Sequence, residues 1–139
     1  MDGKTGKLLW QKRLGDGPVP PAMKTATPMI DGGIVYEGSP VSGNYHAFDL
    51  KTGNQLWSVH LGSQIRAGAA VLNGIAYVPY HAGDIAAIRT SDGKLLGKKH
   101  IGGSFGPSSP VIVGGTLYVS NVYGWVNAIP LSQFATRGQ

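Results

Sequence analysis

Apolar and polar residues alternate in short runs along the chain, and glycine-containing turns separate the runs. The first repeat shows the pattern in "GIVYEGS", "NYHAFDL" and "NQLWSVHL", each of strand length and half apolar. Asp31-Gly32, Asn73-Gly74 and Gly114-Gly115 lie between such runs. These pairs favour hairpin turns because both central residues need positive φ, which glycine tolerates freely. The pattern predicts an all-β chain with almost no helix.

The strand pattern repeats with a period of about 41 residues, four strands to each period. Two sets of landmarks share this spacing, namely Tyr36, Tyr77 and Tyr118, and Ala47, Ala87 and Ala128. Four antiparallel strands per unit of this length are typical of a β-propeller blade. The predicted fold is therefore a partial β-propeller made of four-stranded antiparallel blades, with about three blades' worth of sequence.

The repeat divides the chain in an unusual phase. The predicted units are an outer strand at 7–13, a blade at 27–61, a blade at 67–102, an incomplete blade at 109–131 and a tail at 132–139. Propellers typically have four to eight blades. We therefore expect partners: either the remaining blades of a larger propeller, of which this is the C-terminal part, or further copies of the chain that exchange outer strands.

One turn carries a recurring phrase that is complete as Ala47, Asp49, Thr52, Gly53 and Trp57. Asp49 and Thr52 suit hydrogen bonding to the turn backbone, which Gly53 then reverses. The repeated alanine leaves a notch on its sheet, and Trp10 and Trp57 follow the turn at the offset needed to fill such notches.

The pattern Ala-x-Asp-x-x-Thr-Gly-x-x-x-Trp resembles the tryptophan-docking repeat of the quinoprotein-like β-propellers. That family includes dehydrogenases that use pyrrolo-quinoline quinone, outer-membrane assembly lipoproteins and hydrolases such as tetrathionate hydrolase. The resemblance implies a structural role for the motif and a periplasmic or extracellular location. It is specific for blade architecture, whereas chemistry is grafted onto loops.

Composition excludes several classes of function. The chain has no cysteine, which rules out disulfides, thiolate metal sites and cysteine nucleophiles. No run of 18 apolar residues is present, so no membrane span is expected. The net charge of +5 comes from scattered Lys and Arg rather than a compact patch, so nucleic acid is not an expected partner.

The candidate site lies on the face that carries the variable loops, because ligand sites favour irregular loops on a rigid frame. These loops are 15–26, 62–68, 102–108, 38–44, 79–84 and 120–125, and Lys24 lies in the first. The candidate ligand- or partner-binding residues are Arg66, Tyr80, His81, Asp84, Phe105, Asn121, Tyr123 and Trp125.

Each candidate has a structural alternative. Arg66 precedes an innermost strand and is the candidate anion-binding group. His81 with Asp84 suits acid–base work, or else ordinary loop hydrogen bonding. Trp125 suits stacking on a planar ligand, or covering its neighbour. His60 and His100 are equivalent positions of the repeat, which indicates a shared strand position and not a metal pair.

The sequence favours a binding or assembly scaffold that contacts its ligand or partner through the loop face, with no cofactor and no metal. The alternative is a fragment of a quinoprotein-like enzyme, either a quinone-dependent dehydrogenase or a hydrolase such as tetrathionate hydrolase. Its catalytic residues would lie mainly outside this chain, and pyrrolo-quinoline quinone and Ca²⁺ enter only under this reading. Four of the seven acidic residues lie in turns, so no catalytic acid pair stands out.

The odd phase of the repeat leads to a prediction about assembly. Deleting residues 1–14 removes the strand that one copy would give to the incomplete blade of another, so the assembly should dissociate. Light scattering at micromolar concentration measures this. An intact chain that is monomeric and cooperatively folded, or an oligomer unchanged by the deletion, would rule out strand exchange.

Overall fold

The computed structural model describes residues 1–14 and 26–134, which contain eleven β-strands in three sheets. The first blade is β1 (Met29–Asp31), β2 (Ile34–Gly38), β3 (Asn44–Asp49) and β4 (Gln55–His60). The second is β5 (Ala70–Leu72), β6 (Ile75–Pro79), β7 (Asp84–Arg89) and β8 (Leu95–His100). The third is β9 (Val111–Val113), β10 (Thr116–Ser120) and β11 (Val126–Pro130).

Every sheet is antiparallel, and its strands are neighbours in the order of the chain. The predicted turns Asn73-Gly74 and Gly114-Gly115 lie between the first two strands of their blades, and Asn73 adopts a φ of 50°. In the first blade the turn is Gly32-Gly33, one residue later than the predicted Asp31-Gly32, because Asp31 still pairs with Ile34. A 3-10 helix, Leu131–Gln133, follows the last strand. In the two described segments, no helix has the length and apolar character needed to span a membrane. The predicted all-β fold of four-stranded antiparallel blades is confirmed.

The core lies in the joints between consecutive blades. In the first blade, a row of register partners, Tyr36, Ala47 and Trp57, faces the second blade and is buried. The side chains of the second blade that pack against this row are small or branched, namely Ala76, Val78, Ala86 and Ile88. A second cluster joins the second and third blades through Tyr77, Phe105, Leu117, Val119 and Phe134.

Two of the three tryptophans, Trp10 and Trp57, each lie on a glycine of the following blade. The Trp57 indole N–H donates to the carbonyl of Thr90 at 2.8 Å, and its ring covers Gly93 so closely that an added Cβ would lie 2.6 Å from a ring atom. Trp10 repeats this contact with Leu50 and Gly53. The expectation that tryptophan fills the alanine notch is therefore wrong, since the glycine receives the ring.

The predicted outer strand at 7–13 is not a strand among the described residues. A strand needs a neighbour to pair with, and none of the three sheets in the described residues pairs with this segment. The segment instead lies against the first blade, where the Trp10 ring is 6.2 Å from that of Phe48. In the tail, residues 135–139 lie outside the described residues.

The face of the third blade that points away from the second blade is exposed to solvent. Tyr118 occupies the same register position as Tyr36 and Tyr77, but it is 43% exposed where they are buried. Val126 on the adjacent strand is 72% exposed. Apolar side chains that are buried in the first two blades therefore face solvent at this end of the arc.

The docking contact of Trp57 gives a stability prediction. Replacing Trp57 with Ala removes a buried indole and its hydrogen bond across the joint, so the free energy of unfolding should fall by about 3–5 kcal/mol. Denaturant melts measure this. Trp125→Ala is the matched control, because its ring is 69% exposed, and it should cost clearly less. A loss below about 1 kcal/mol for Trp57→Ala would contradict the docking contact.

Candidate functional site

Three of the loop-face side chains meet at the end of the second blade. The Tyr80 hydroxyl donates to one carboxylate oxygen of Asp84 at 3.2 Å, and His100 Nδ1 lies 2.6 Å from the other. Tyr80 is buried in the joint with the first blade, and burial followed by the Asp84 charge raises its pKa to about 12. The Lys98 ammonium lies 6.0 Å from the centre of its ring. A phenol thus anchors a carboxylate that faces an imidazole.

Of the two roles considered for His81, the structure shows the loop hydrogen bond and not the pairing with Asp84. His81 Nδ1 instead contacts the Ser104 hydroxyl at 2.9 Å, on the loop that leads to the third blade. The histidine that does reach Asp84 is His100, because strands β7 and β8 place the two residues in register. The sequence signal was present: Asn44 and Asp84 are equivalent in the repeat, and the residue facing each is a histidine.

A second group of loop residues forms an open cleft on the third blade. The Asn121 side-chain oxygen accepts the backbone N–H groups of Tyr123 and Trp125, at 3.0 and 3.1 Å, and this turn presents both rings to solvent. The cleft has a volume of about 290 Å³, and Gly102 and Gly103 line its other side. It lies at the joint between the second and third blades, because Ile101 lines it from the second blade and Asn127 lines it from the third.

Three further candidates remain, namely Phe105, Arg66 and Lys24. Phe105 is buried in the joint between the second and third blades, where it packs in the core. Arg66 is half-buried before β5, and its carbonyl accepts the N–H of Thr27 at 3.0 Å. Lys24 lies outside the described residues.

Acidic side chains in the turns accept hydrogen bonds from the turn backbone. The Asp49 carboxylate accepts the N–H groups of Thr52 and Lys51, each at 2.9 Å, and the bond from Thr52 is the main cause of its lowered pKa. Asp2 makes the same turn, and a hydrogen bond from Arg89 lowers the pKa of Asp92 to about 2. These carboxylates stabilise turns and do not converge on a pocket.

The described residues do not fit a calcium–quinone site. Ca²⁺ takes six to eight oxygen ligands. In residues 1–14 and 26–134, no three His, Asp or Glu side chains lie where they could share a metal ion.

A polar pair that sequence analysis missed faces away from the second blade. Glu37 and His46 are register partners on β2 and β3, so both side chains lie on the same face of the first blade. Blades two and three carry Val78 with Ala86 and Val119 with Asn127 at this level. Burial raises the pKa of Glu37 to about 7. His46 Nδ1 contacts the Gln55 side-chain oxygen at 3.0 Å, whereas its buried Nε2 has no partner among the described residues.

Repeated antiparallel blades packed face to face, each joint closed by an aromatic ring, define the chain as part of a quinoprotein-like β-propeller. A model of the family described as outer membrane protein assembly factor BamB matches residues 1–137, and the chain belongs to that family.

Two curated relatives are named tetrathionate hydrolase. The protein from Acidithiobacillus ferrooxidans is 44% identical over 137 residues, which cover 94% of this chain and 27% of the relative. The protein from Acidianus ambivalens is 38% identical over 116 residues, covering 76% of this chain and 21% of the relative. The chain thus spans about a quarter of the length of these relatives.

Solved structures with lower identity share the fold. BamB from Moraxella catarrhalis superposes with a TM-score of 0.66 and 22% identity, covering 84% of this chain and 36% of that one. The quinohemoprotein alcohol dehydrogenase ADHIIG from Pseudomonas putida HK5 superposes with a TM-score of 0.67 and 21% identity, covering 83% and 19%. The partial propeller predicted from the repeat is confirmed.

Glu37 gives a prediction for the dependence of stability on pH. Its pKa is raised from 4.5 to about 7 in the folded chain, so the folded state holds this proton at pH values where the unfolded state has lost it. Stability from Glu37 is complete below about pH 4.5 and is lost as the pH rises to about 7. Thermal midpoints followed by circular dichroism should therefore fall more steeply with pH in the wild type than in Glu37→Gln. Identical slopes would contradict the burial of this carboxyl group. Glu37 is the only glutamate in the chain, so the substitution removes its one glutamate carboxyl group and leaves every aspartate in place.

Proposed function

We propose that this chain forms blades of a hydrolase that acts on tetrathionate or a closely related polythionate. The observation that carries the proposal is the 44% identity to the Acidithiobacillus ferrooxidans tetrathionate hydrolase over 94% of the chain. A second relative from another organism carries the same name at 38% identity. The structures of the assembly factor and of the dehydrogenase are about half as similar in sequence, and they support the fold alone.

The loop face of the second blade offers groups suited to such a substrate. Tetrathionate is a dianion, and Lys98 and His100 lie on one side of strand β8, two residues apart. Asp84 and Tyr80 form a hydrogen-bonded group beside them. The Lys98 ammonium beside groups that can exchange protons suits the binding and hydrolysis of an anionic substrate.

The scaffold function favoured by sequence analysis is the second candidate. It is supported by the family description, which names an assembly factor, and by the exposed apolar face of the third blade. Under either function, family resemblance leads us to expect a periplasmic or extracellular location. The blades that complete the ring, from the same protein or from further copies, are the expected partners.

Turnover of tetrathionate tests the proposal. The complete protein that carries this chain is purified, and loss of tetrathionate and release of thiosulfate are followed with time. Catalytic release of thiosulfate without added quinone is expected. Activity only with alcohol, quinone and Ca²⁺ would support a dehydrogenase instead. Absence of both activities would favour the scaffold.

A further inference from the structure

We propose that His100 is the general base of a Tyr80–Asp84–His100 site on the loop face, with Asp84 as its positioning residue. The inference rests on the proposed hydrolase function and names a site for it. His100 would accept the proton of the attacking water at Nε2. Asp84 would hold the ring and compensate the charge that develops on it.

The geometry fixes the ring in the required orientation. A carboxylate only accepts, so the contact of 2.6 Å makes Nδ1 of His100 the donor and leaves Nε2 as the free position. The imidazole is 71% exposed at its side chain, whereas Asp84 is 22% exposed, so water reaches the base and not its support. The Tyr80 hydroxyl holds the second carboxylate oxygen from the buried side. His100 thus lies in the position of the base, Asp84 orients it, and Tyr80 anchors Asp84. Activation of a nucleophile by histidine uses the same arrangement.

The first blade supplies the structural counterpart of this site. There His60 Nδ1 lies 2.8 Å from the Asn44 side-chain oxygen, at the same register positions as His100 and Asp84. A neutral amide is therefore enough to hydrogen-bond the end of the outer strand β4 to its neighbour β3. The second blade has Asp84 in place of the amide, and it has Tyr80 at the position that Ser39 holds in the first blade. Both changes add a side chain that can exchange a proton. Neither is needed for the hydrogen bond that joins the two strands.

The proton transfer belongs to cleavage of an S–S bond. As a water oxygen bonds to one of the two inner sulfurs of tetrathionate, its O–H bond breaks and the proton moves to Nε2 of His100. The central S–S bond breaks at the same time, and its electron pair leaves with thiosulfate. The other product keeps the hydroxyl group on its sulfur. The charge is balanced, since the dianion and a hydroxide equivalent give a dianion and a monoanion, with the proton on histidine.

Two isosteric substitutions separate this role from the structural one. Asp84→Asn recreates in the second blade the hydrogen bond seen between His60 and Asn44, so the thermal midpoint should stay close to that of the wild type. The kcat for tetrathionate should fall about 100-fold, within the range for loss of acid–base catalysis, while KM stays unchanged. Asn44→Asp is the matched control and should leave both kcat and KM as they are. His100→Gln should reproduce the loss of kcat.

Each outcome decides the proposal. Wild-type kcat in Asp84→Asn or in His100→Gln would overturn it, even though the hydrolase function would stand. If the complete protein does not turn over tetrathionate, the proposed function fails, and the site is judged by modification with diethyl pyrocarbonate. At about pH 8, where imidazoles are largely neutral, His100 should react several times faster than His60, and Asp84→Asn should remove the difference. Equal rates for both histidines would overturn the acid–base site.

Discussion

The contact of an indole ring with a glycine of the next blade is the constraint on which this arc of blades depends. When two β-sheets pack face to face, a specific contact is needed to fix their relative position. Trp57 fixes it by covering Gly93 and by donating to the Thr90 carbonyl. One residue thus combines apolar burial with a directional bond, and the glycine is required because any Cβ there would overlap the ring. The turn that carries the glycine is itself held by side-chain hydrogen bonds.

The joint between the second and third blades achieves the same packing with the partners changed. Gly97 stands where Trp57 stands in the first blade, and Phe134 stands where Gly93 stands in the second. The Phe134 ring lies 5.1 Å from that of Tyr77, much as Trp57 lies 5.9 Å from Tyr36. The large and the small residue have therefore changed sides of the joint. What the fold needs is one aromatic ring against the tyrosine, from either blade.

Repetition is why the fold could be predicted and the site could not. The period of about 41 residues and the turn pairs indicated every described strand from β1 to β11, because each repeat is an independent sample of the same pattern. The segment 7–13 failed as a strand because pairing depends on a neighbour that sequence pattern does not supply. Asp84 was matched with His81 on sequence proximity, whereas register across the β7–β8 hairpin selects His100. Glu37 escaped notice because its unusual property, a raised pKa, comes from burial by residues distant in sequence.

The loop face can vary in chemistry because a backbone hydrogen bond closes each of three equivalent loops. Ser39, Tyr80 and Asn121 are equivalent, and each donates its N–H across its loop. The acceptors are the carbonyls of Asn44 and Asp84, which open β3 and β7, and of Trp125, which directly precedes β11, at 2.8, 3.0 and 3.0 Å. Since the main chain makes that bond, the side chains at these positions are free of it. In the first blade the serine hydroxyl caps its own loop, at 3.2 Å from the N–H of Val41. In the second blade the Tyr80 phenol donates to the Asp84 carboxylate instead, so equivalent positions of the repeat carry different side-chain chemistry on the same backbone.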